Sequence, residues 1–407
     1  MHKPCRRWLV PITLGALAFC AAGPGTARTC DLDAVPAATL LLPYFEVDVS
    51  GSVTPRTIDT VFAVLNTDPA QPRIAHVTLW TDWAIPTAGF NLALGAYDEQ
   101  SVNMIDVFLH GAPTTPGVPG CLGNLKPGVL YFNLALPVTG SLAEDLATLR
   151  KAHTGEVIDT ATGARIASSS HPGLAKGYVT IDVVRKCTNL FPSSPRAQGY
   201  FRNGGTGIAT NQNVLVGDYF LVDNVRGVGA GEPMVHIRAD QAFMKGNYTF
   251  YGRYVGGSAI DDRQPLGSVY ASRFWTAFPD DPNLDPQTEL VVWRDTKSPA
   301  ASPVLATATQ PAGFPIPLAD FLCCDEDEVC GIYTGSLPLA TQRINLGEEA
   351  DLPYSAGWLR LDLNHSRTSL FRSEAQGHVT TIFGAHVATG SMAASFRASR
   401  LASPCTP

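Results

Sequence analysis

Along much of this chain the apolar residues recur at every second position. Val77 and Leu79, Val179 and Ile181, Leu290 and Val292, and Leu359 and Leu361 each put two aliphatic side chains on one side of a short segment. The segments are rich in β-branched residues and are separated by turns drawn from 37 glycines and 31 prolines. This is the pattern of strands with one buried face, so the expected class is all-β, with the aliphatic faces turned into sandwich cores. The opposite faces pair an aromatic ring with an aspartate: Trp80 with Asp82, Tyr178 with Asp182, Trp293 with Asp295, and Trp358 with Asp362. One segment breaks the alternation. Over 141–154, Ser141 and Glu144 stand at capping-box spacing, Leu142, Leu146 and Leu149 share a face, and Gly155 follows; this predicts one short helix. His153 falls in its last turn, where a cation would suit the helix dipole.

Two stretches recur in order. VFAVLNTDPAQPRIAHVTLWTD (61–82) aligns with FWTAFPDDPNLDPQTELVVWRD (274–295) at an offset of 213, matching Asp68-Pro69 to Asp281-Pro282, Trp80 to Trp293 and Asp82 to Asp295. GYVTIDV (177–183) aligns with GWLRLDL (357–363) at an offset of 180. The expectation is two related antiparallel β-sandwich lobes, 28–195 and 196–407, closely docked on one another. Three further strands are expected between them, within 213–222, 233–238 and 247–255.

The stretches LLPYFEVD, AHVTLWTDW, GYVTIDVV, NQNVLVGDYFLVD and GNYTFYGRYVG, taken together, resemble a group of uncharacterised exported bacterial proteins. The resemblance covers most of the chain after residue 27. It implies a shared fold and secretion, and it carries no activity, cofactor or catalytic residue.

Secretion also follows from the first residues. Lys3, Arg6 and Arg7 precede an apolar stretch interrupted by Pro11, and Gly25-Thr26-Ala27 closes it, which is the layout of a signal peptide over 1–27. An ordinary basic start explains the arginine pair better than a twin-arginine signal, whose flanking pattern is missing. No later segment is long and apolar enough to span a membrane, so the expected location is periplasmic or extracellular. Removal of 1–27 leaves 26 Lys and Arg against 36 Asp and Glu, a net charge of −10. That balance gives no reason to expect a nucleic-acid partner. Seven cysteines remain: Cys30, Cys121, Cys187, Cys323, Cys324, Cys330 and Cys405. In an exported chain they are disulfide candidates first, and an odd count leaves at least one thiol free or paired between chains.

The stretch that looks most like chemistry is FLCCDEDEVC (321–330). It lacks the second cysteine pair of a zinc ribbon and the Cys-x-x-Cys of a thiol redox centre, and its acidic run would raise a thiol pKa. The expected arrangement joins Cys323 or Cys324 to Cys330 around a solvated loop, with the neighbour reaching Cys405 or Cys187. Asp281, Asn283 and Asp285 alternate as calcium ligands do, but Pro286 and Val292 stand where a helical calcium loop needs Gly and Glu. The expectation is therefore no cofactor, with calcium at these three residues as the one alternative. Nucleophile-elbow, zincin-helix and phosphate-loop motifs do not occur.

Function narrows to two classes. The first is a non-catalytic binding or structural module, with a glycan or cell-surface component as partner and Trp80, Tyr178, Trp293 and Trp358 as stacking platforms. The second is a secreted polysaccharide hydrolase working through a carboxylate pair from Asp82, Asp182, Asp295 and Asp362.

Overall fold

The computed structural model describes residues 35–51, 57–111, 113, 121, 127–133, 136–168, 172–192, 199–225, 227–242, 249–251, 261–277, 285–295, 314–316, 318, 320–333, 337–348, 352, 354–364, 376–387 and 390–402. Residues 1–27, where a signal peptide is expected, and Cys30, Cys405, Asp281 and Asn283 lie outside them.

The chain is all-β, in antiparallel sheets that pack as sandwiches, with one short α-helix. In the first lobe, one sheet runs in the order β10 (Val235–Ile237), β1 (Thr39–Asp48), β7 (Leu174–Val184), β3 (Arg73–Trp80), β4 (Pro86–Leu94), β6 (Tyr131–Phe132). Its partner sheet is β5 (Glu99–Asn103), β2 (Ile58–Asn66), β8 (Leu215–Asp223), β9 (Val228–Pro233). The second lobe pairs the sheet β14 (Cys330–Ile332), β13 (Asp320–Cys324), β16 (Ala356–Asp362), β11 (Val269–Trp275), β19 (Ser399–Ala402) with the sheet β15 (Thr341–Asn345), β12 (Asp285–Arg294), β17 (Gly377–Val387), β18 (Gly390–Arg397).

The period-2 rows enter the cores. Val77, Leu79, Val179 and Ile181 meet Phe62, Val64, Leu215 and Tyr219 of the facing sheet. Leu290, Val292, Leu359 and Leu361 form the second core with Tyr270, Phe274 and Phe321. Burying such side chains stabilises a fold by about 1.5–3 kcal/mol each, and the alternation places every one of them without a polar residue intervening on the same face.

Three expectations about organisation change. The boundary at 195/196 is too early, because β8, β9 and β10 complete the two sheets of the first lobe and the second lobe begins at β11. Two of the three intermediate strands form, as β8 and β10, while 247–255 falls largely outside the described residues. The second sequence match also fails as a structural equivalence. β7 lies beside β3, with Tyr178 opposite Trp80, whereas β16 lies beside β11 in the other sheet. The strand in the position of β7 is β17, which sets His378 opposite Trp293. Both strands carry a glycine against the tryptophan strand: a Cβ on Gly177 would stand 2.1 Å from the Trp80 carbonyl oxygen, and one on Gly377 would stand 2.9 Å from that of Trp293.

The helix α1 spans Leu142–Thr154 and ends at Gly155 in the left-handed conformation. Its start differs from a capping box: Ser141 makes no side-chain cap, and Asp145 instead accepts hydrogen bonds from the Thr139 and Gly140 amides at 2.7 and 3.2 Å. Leu146 and Leu149 are buried, but Leu142 is exposed, so the apolar face continues through Ala152 and His153 instead. His153 is not a cation at the helix end. It is buried between Phe45 and Phe108, its Nδ1–H donates to the Lys176 carbonyl at 2.9 Å, and its Nε2 accepts from the Thr87 hydroxyl at 2.7 Å. Burial lowers its pKa to about 4, so the ring is neutral.

The lobes join through the faces turned away from the two cores. Leu41, Trp80, Tyr178, Val235, Tyr251 and Trp293 share one cluster across the junction. Trp80 stacks on Tyr178 with centroids 5.5 Å apart, and Trp293 meets the Tyr178 ring edge-on at 5.8 Å. Polar groups close the rim. The Thr341 hydroxyl donates to the Pro43 carbonyl at 2.5 Å, the Ala340 amide to the Asp82 carbonyl at 2.8 Å, and Arg343 bridges Glu46 at 3.3 Å and Glu289 at 2.5 Å.

Candidate functional site

The four aspartates singled out as candidate catalytic groups are 5, 0, 0 and 7 % exposed for Asp82, Asp182, Asp295 and Asp362. Each is engaged in holding chain to chain. Asp82 accepts from the Ser168 amide at 2.9 Å and from the Ser168 hydroxyl. Asp295 accepts from the Gln376 amide at 2.9 Å, and Asp362 from the Asn364 amide and side chain at 3.1 and 2.8 Å. A carboxylate ending a strand by capturing an amide is ordinary turn chemistry. Asp182 does something else. It accepts from Thr39, from the Tyr200 hydroxyl at 2.8 Å and from the Tyr251 hydroxyl at 3.0 Å, and faces Arg263 at 3.6 Å. Arg263 also faces Asp261 at 3.7 Å and lies 4.9 Å over the Phe201 ring. Burial first, and then the nearby Asp182 charge, push both tyrosine pKa values well up, so these hydroxyls remain donors. Burial likewise raises Asp261, opposed by Arg263. A pair of carboxylates working on a polysaccharide must flank an open cleft with one carboxyl protonated; these four are enclosed and separately bonded.

The expected stacking platforms divide. Trp80, Tyr178 and Trp293 are 0 % exposed, packed on one another between the lobes, and so are corrected from ligand platforms to junction core. Trp358 is different. Leu359 and Leu361 of its strand point into the second core, which turns Trp358 and Arg360 to the outer face of the β14-β13-β16-β11-β19 sheet, where both are half-buried. Trp358 stands directly across from Cys324 on β13 and from Arg273 on β11. Arg360, two residues along, is steadied by Asp320 at 3.8 Å and Asp362 at 3.7 Å. Arg273 is exposed and has no ion pair among the described residues. The result is a half-buried aromatic ring on the outer sheet face, with one guanidinium held by two aspartates and one exposed.

The FLCCDEDEVC stretch forms the β13–β14 hairpin next to this face. Cys324 pairs with Cys330 in a disulfide directly across the two strands, with Cα atoms 4.0 Å apart. Asp325 closes the loop by accepting from the Asp327 and Val329 amides at 3.0 and 2.8 Å, and Glu326, Asp327 and Glu328 are exposed at its tip. The neighbouring cysteine does not reach Cys187, which is bonded to Cys121 with Cα atoms 5.4 Å apart. Cys323 is buried and unpaired among the described residues, its thiol pushed up to about 12 by burial, which suppresses the reactive thiolate.

Of the calcium candidates, Asp285 is an exposed residue at the start of β12; Asp281 and Asn283 lie outside the described residues. The corresponding turn of the first lobe is self-contained. Asp68 accepts from the Ala70 and Gln71 amides at 2.9 and 3.0 Å and binds Arg73, and these partners hold its carboxyl below the usual range. Among the described residues, no three His, Cys, Asp or Glu side chains converge as metal ligands.

Sequence reasoning missed two groups. One is the Arg263 hub, because Tyr200, Tyr251, Asp261 and Arg263 lie outside every helix and strand and meet Asp182 only through long-range packing. The other is a small cleft at the rim of the lobe junction lined by Glu46, Ile58, Asp59, Leu221, Asp223 and Arg343. There burial raises Asp59 to about 6, against the pull of hydrogen bonds from the Thr60 and Ile105 amides and the Asn103 side chain. Three acidic residues drawn from three strands, β1, β2 and β8, are invisible to any local pattern.

No family model, curated protein or solved structure matches the chain.

Proposed function

We propose that this protein is an exported, non-catalytic binding or structural module of the periplasm or cell surface, and that the outer face around Trp358 is where it meets a glycan or cell-surface component. The observation that carries this reading is the contrast between the aromatic residues. Trp80, Tyr178 and Trp293 are consumed by the lobe junction, while Trp358 is half-buried on the outer sheet face, beside Arg360, which faces two aspartates, and Arg273, which has no ion pair among the described residues. A ring offers its face to a sugar or an apolar ligand while flanking charged groups take the polar substituents. Export is supported by the basic, apolar and small-residue layout of 1–27 and by two disulfides, a form of cross-link kept in oxidising compartments. Among the described residues no helix is long and apolar enough to cross a membrane.

The test is a glycan-array screen of protein recovered from an oxidising compartment, repeated with Trp358→Ala. Binding that Trp358→Ala abolishes, with circular dichroism unchanged, supports the module. Release of reducing ends from any bound polysaccharide, lost in Asp182→Asn or Asp295→Asn, would instead favour the hydrolase.

A further inference from the structure

The Trp358 face has a polarity. On the β13 side of β16, the disulfide-pinned loop carries Asp325, Glu326, Asp327 and Glu328, and a Cβ on Gly357 would stand 2.9 Å from the Asp325 Cα, so the acidic tip starts beside the platform. On the β11 side, the residue directly across from Trp358 is the exposed Arg273. Cross-strand neighbours hold their Cβ atoms about 4.5–5.5 Å apart, within the span of a single pyranose ring laid on the indole. Arg360 cannot take a second anion on equal terms, because Asp320 and Asp362 already face its guanidinium.

Resting on the binding reading above, we infer that the ligand of this face is a carboxylate-bearing saccharide of the uronic acid class, stacked on Trp358 with its carboxylate on Arg273. The charge pattern selects this ligand over a neutral sugar. A planar guanidinium left unpaired at the edge of an aromatic platform is matched by a carboxylate, which it binds through two parallel N–H···O contacts. The acidic tip repels that same carboxylate from the opposite edge, so one orientation of the ring is favoured. A cationic saccharide would be turned the other way and would leave Arg273 without a partner.

The experiment titrates full-length mature protein with galacturonan, alginate and hyaluronan fragments, each against its own methyl ester, which keeps the backbone and removes the charge. The inference expects at least one acid to bind about tenfold or more tightly than its ester. Arg273→Gln should bring the two to parity by weakening the acid far more than the ester, and Trp358→Ala should abolish both. Added salt should weaken the acid in the wild type and not in Arg273→Gln. An ester that binds as tightly as its acid, or an acid preference untouched by Arg273→Gln, overturns the inference and leaves the Trp358 platform standing. Absence of binding to every acid and ester, or binding indifferent to Trp358→Ala, overturns the platform together with the inference.

Discussion

Asp59→Asn should make this protein more stable at neutral pH. The carboxyl is buried at the rim of the lobe junction, and burial raises its pKa from 3.8 to about 6. Asp106 adds repulsion, and Glu46 and Asp223 line the same cleft. A raised carboxylate pKa means that the folded state holds the proton more tightly than the unfolded chain. The resulting stabilisation is fully present below about pH 4 and is lost as the pH rises through about 6. At pH 7.5 the folded protein therefore carries a charge in an unfavourable place. Two pKa units correspond to about 3 kcal/mol, and solvent reaching the cleft reduces this to about 1–3 kcal/mol. Asparagine keeps an oxygen to accept from the Thr60 and Ile105 amides, now at 2.7 and 3.2 Å, and removes the charge. Urea unfolding of both proteins between pH 3.5 and 8 measures the difference directly. Comparing the pair cancels the opposing titrations of His76 and His153, both neutral in the fold with pKa values lowered to about 4. The midpoints should coincide near pH 3.5 and separate in favour of Asp59→Asn above pH 6. Equal midpoints throughout, or a variant weaker at pH 7.5, would refute the reasoning.

The Arg263 hub gives a second test. Arg263→Met strands Asp182 and Asp261 as buried charges without their cation and should cost about 3–5 kcal/mol in urea, with Asp182→Asn in the same chain recovering part of the loss. The disulfides should differ in weight. Removing Cys121–Cys187, which closes 66 residues, should destabilise by about 4 kcal/mol, and removing Cys324–Cys330, which closes 6, by about 2 kcal/mol, read as shifts in the same unfolding midpoint. Cys323 should resist maleimide in the native protein at pH 8 and react once urea exposes it; rapid native labelling would contradict its burial.

Sequence and structure agree wherever a local period decides the outcome. Val77 and Leu79 point inward because alternation leaves them no other face, and the helix before Gly155 follows from three-to-four spacing in the same way. What decides the role of a ring is not local. Trp80 and Trp358 each share one side of a strand pattern with an aspartate, Asp82 or Asp362, and in sequence they look interchangeable. Trp80 is buried because Trp293 of the second lobe shares its cluster, whereas Trp358 is on the outer face of its sheet and stays partly exposed. The lobe boundary was hidden for a related reason. β8 returns to pair with β2 across a gap of about 150 residues, and no window of the chain records that pairing. The second repeat went astray because GWLRLDL imitates GYVTIDV in composition, whereas GHVTTI (377–382) shares its steric role against the preceding tryptophan strand.

Hydroxyl-radical footprinting read by mass spectrometry puts the division between junction rings and platform to the most direct test. In the folded protein Trp358 should oxidise many times faster than Trp80 and Trp293, and a bound saccharide should protect Trp358 alone. Comparable oxidation of all three rings in the native state, or saccharide binding that leaves Trp358 unprotected, would contradict the account.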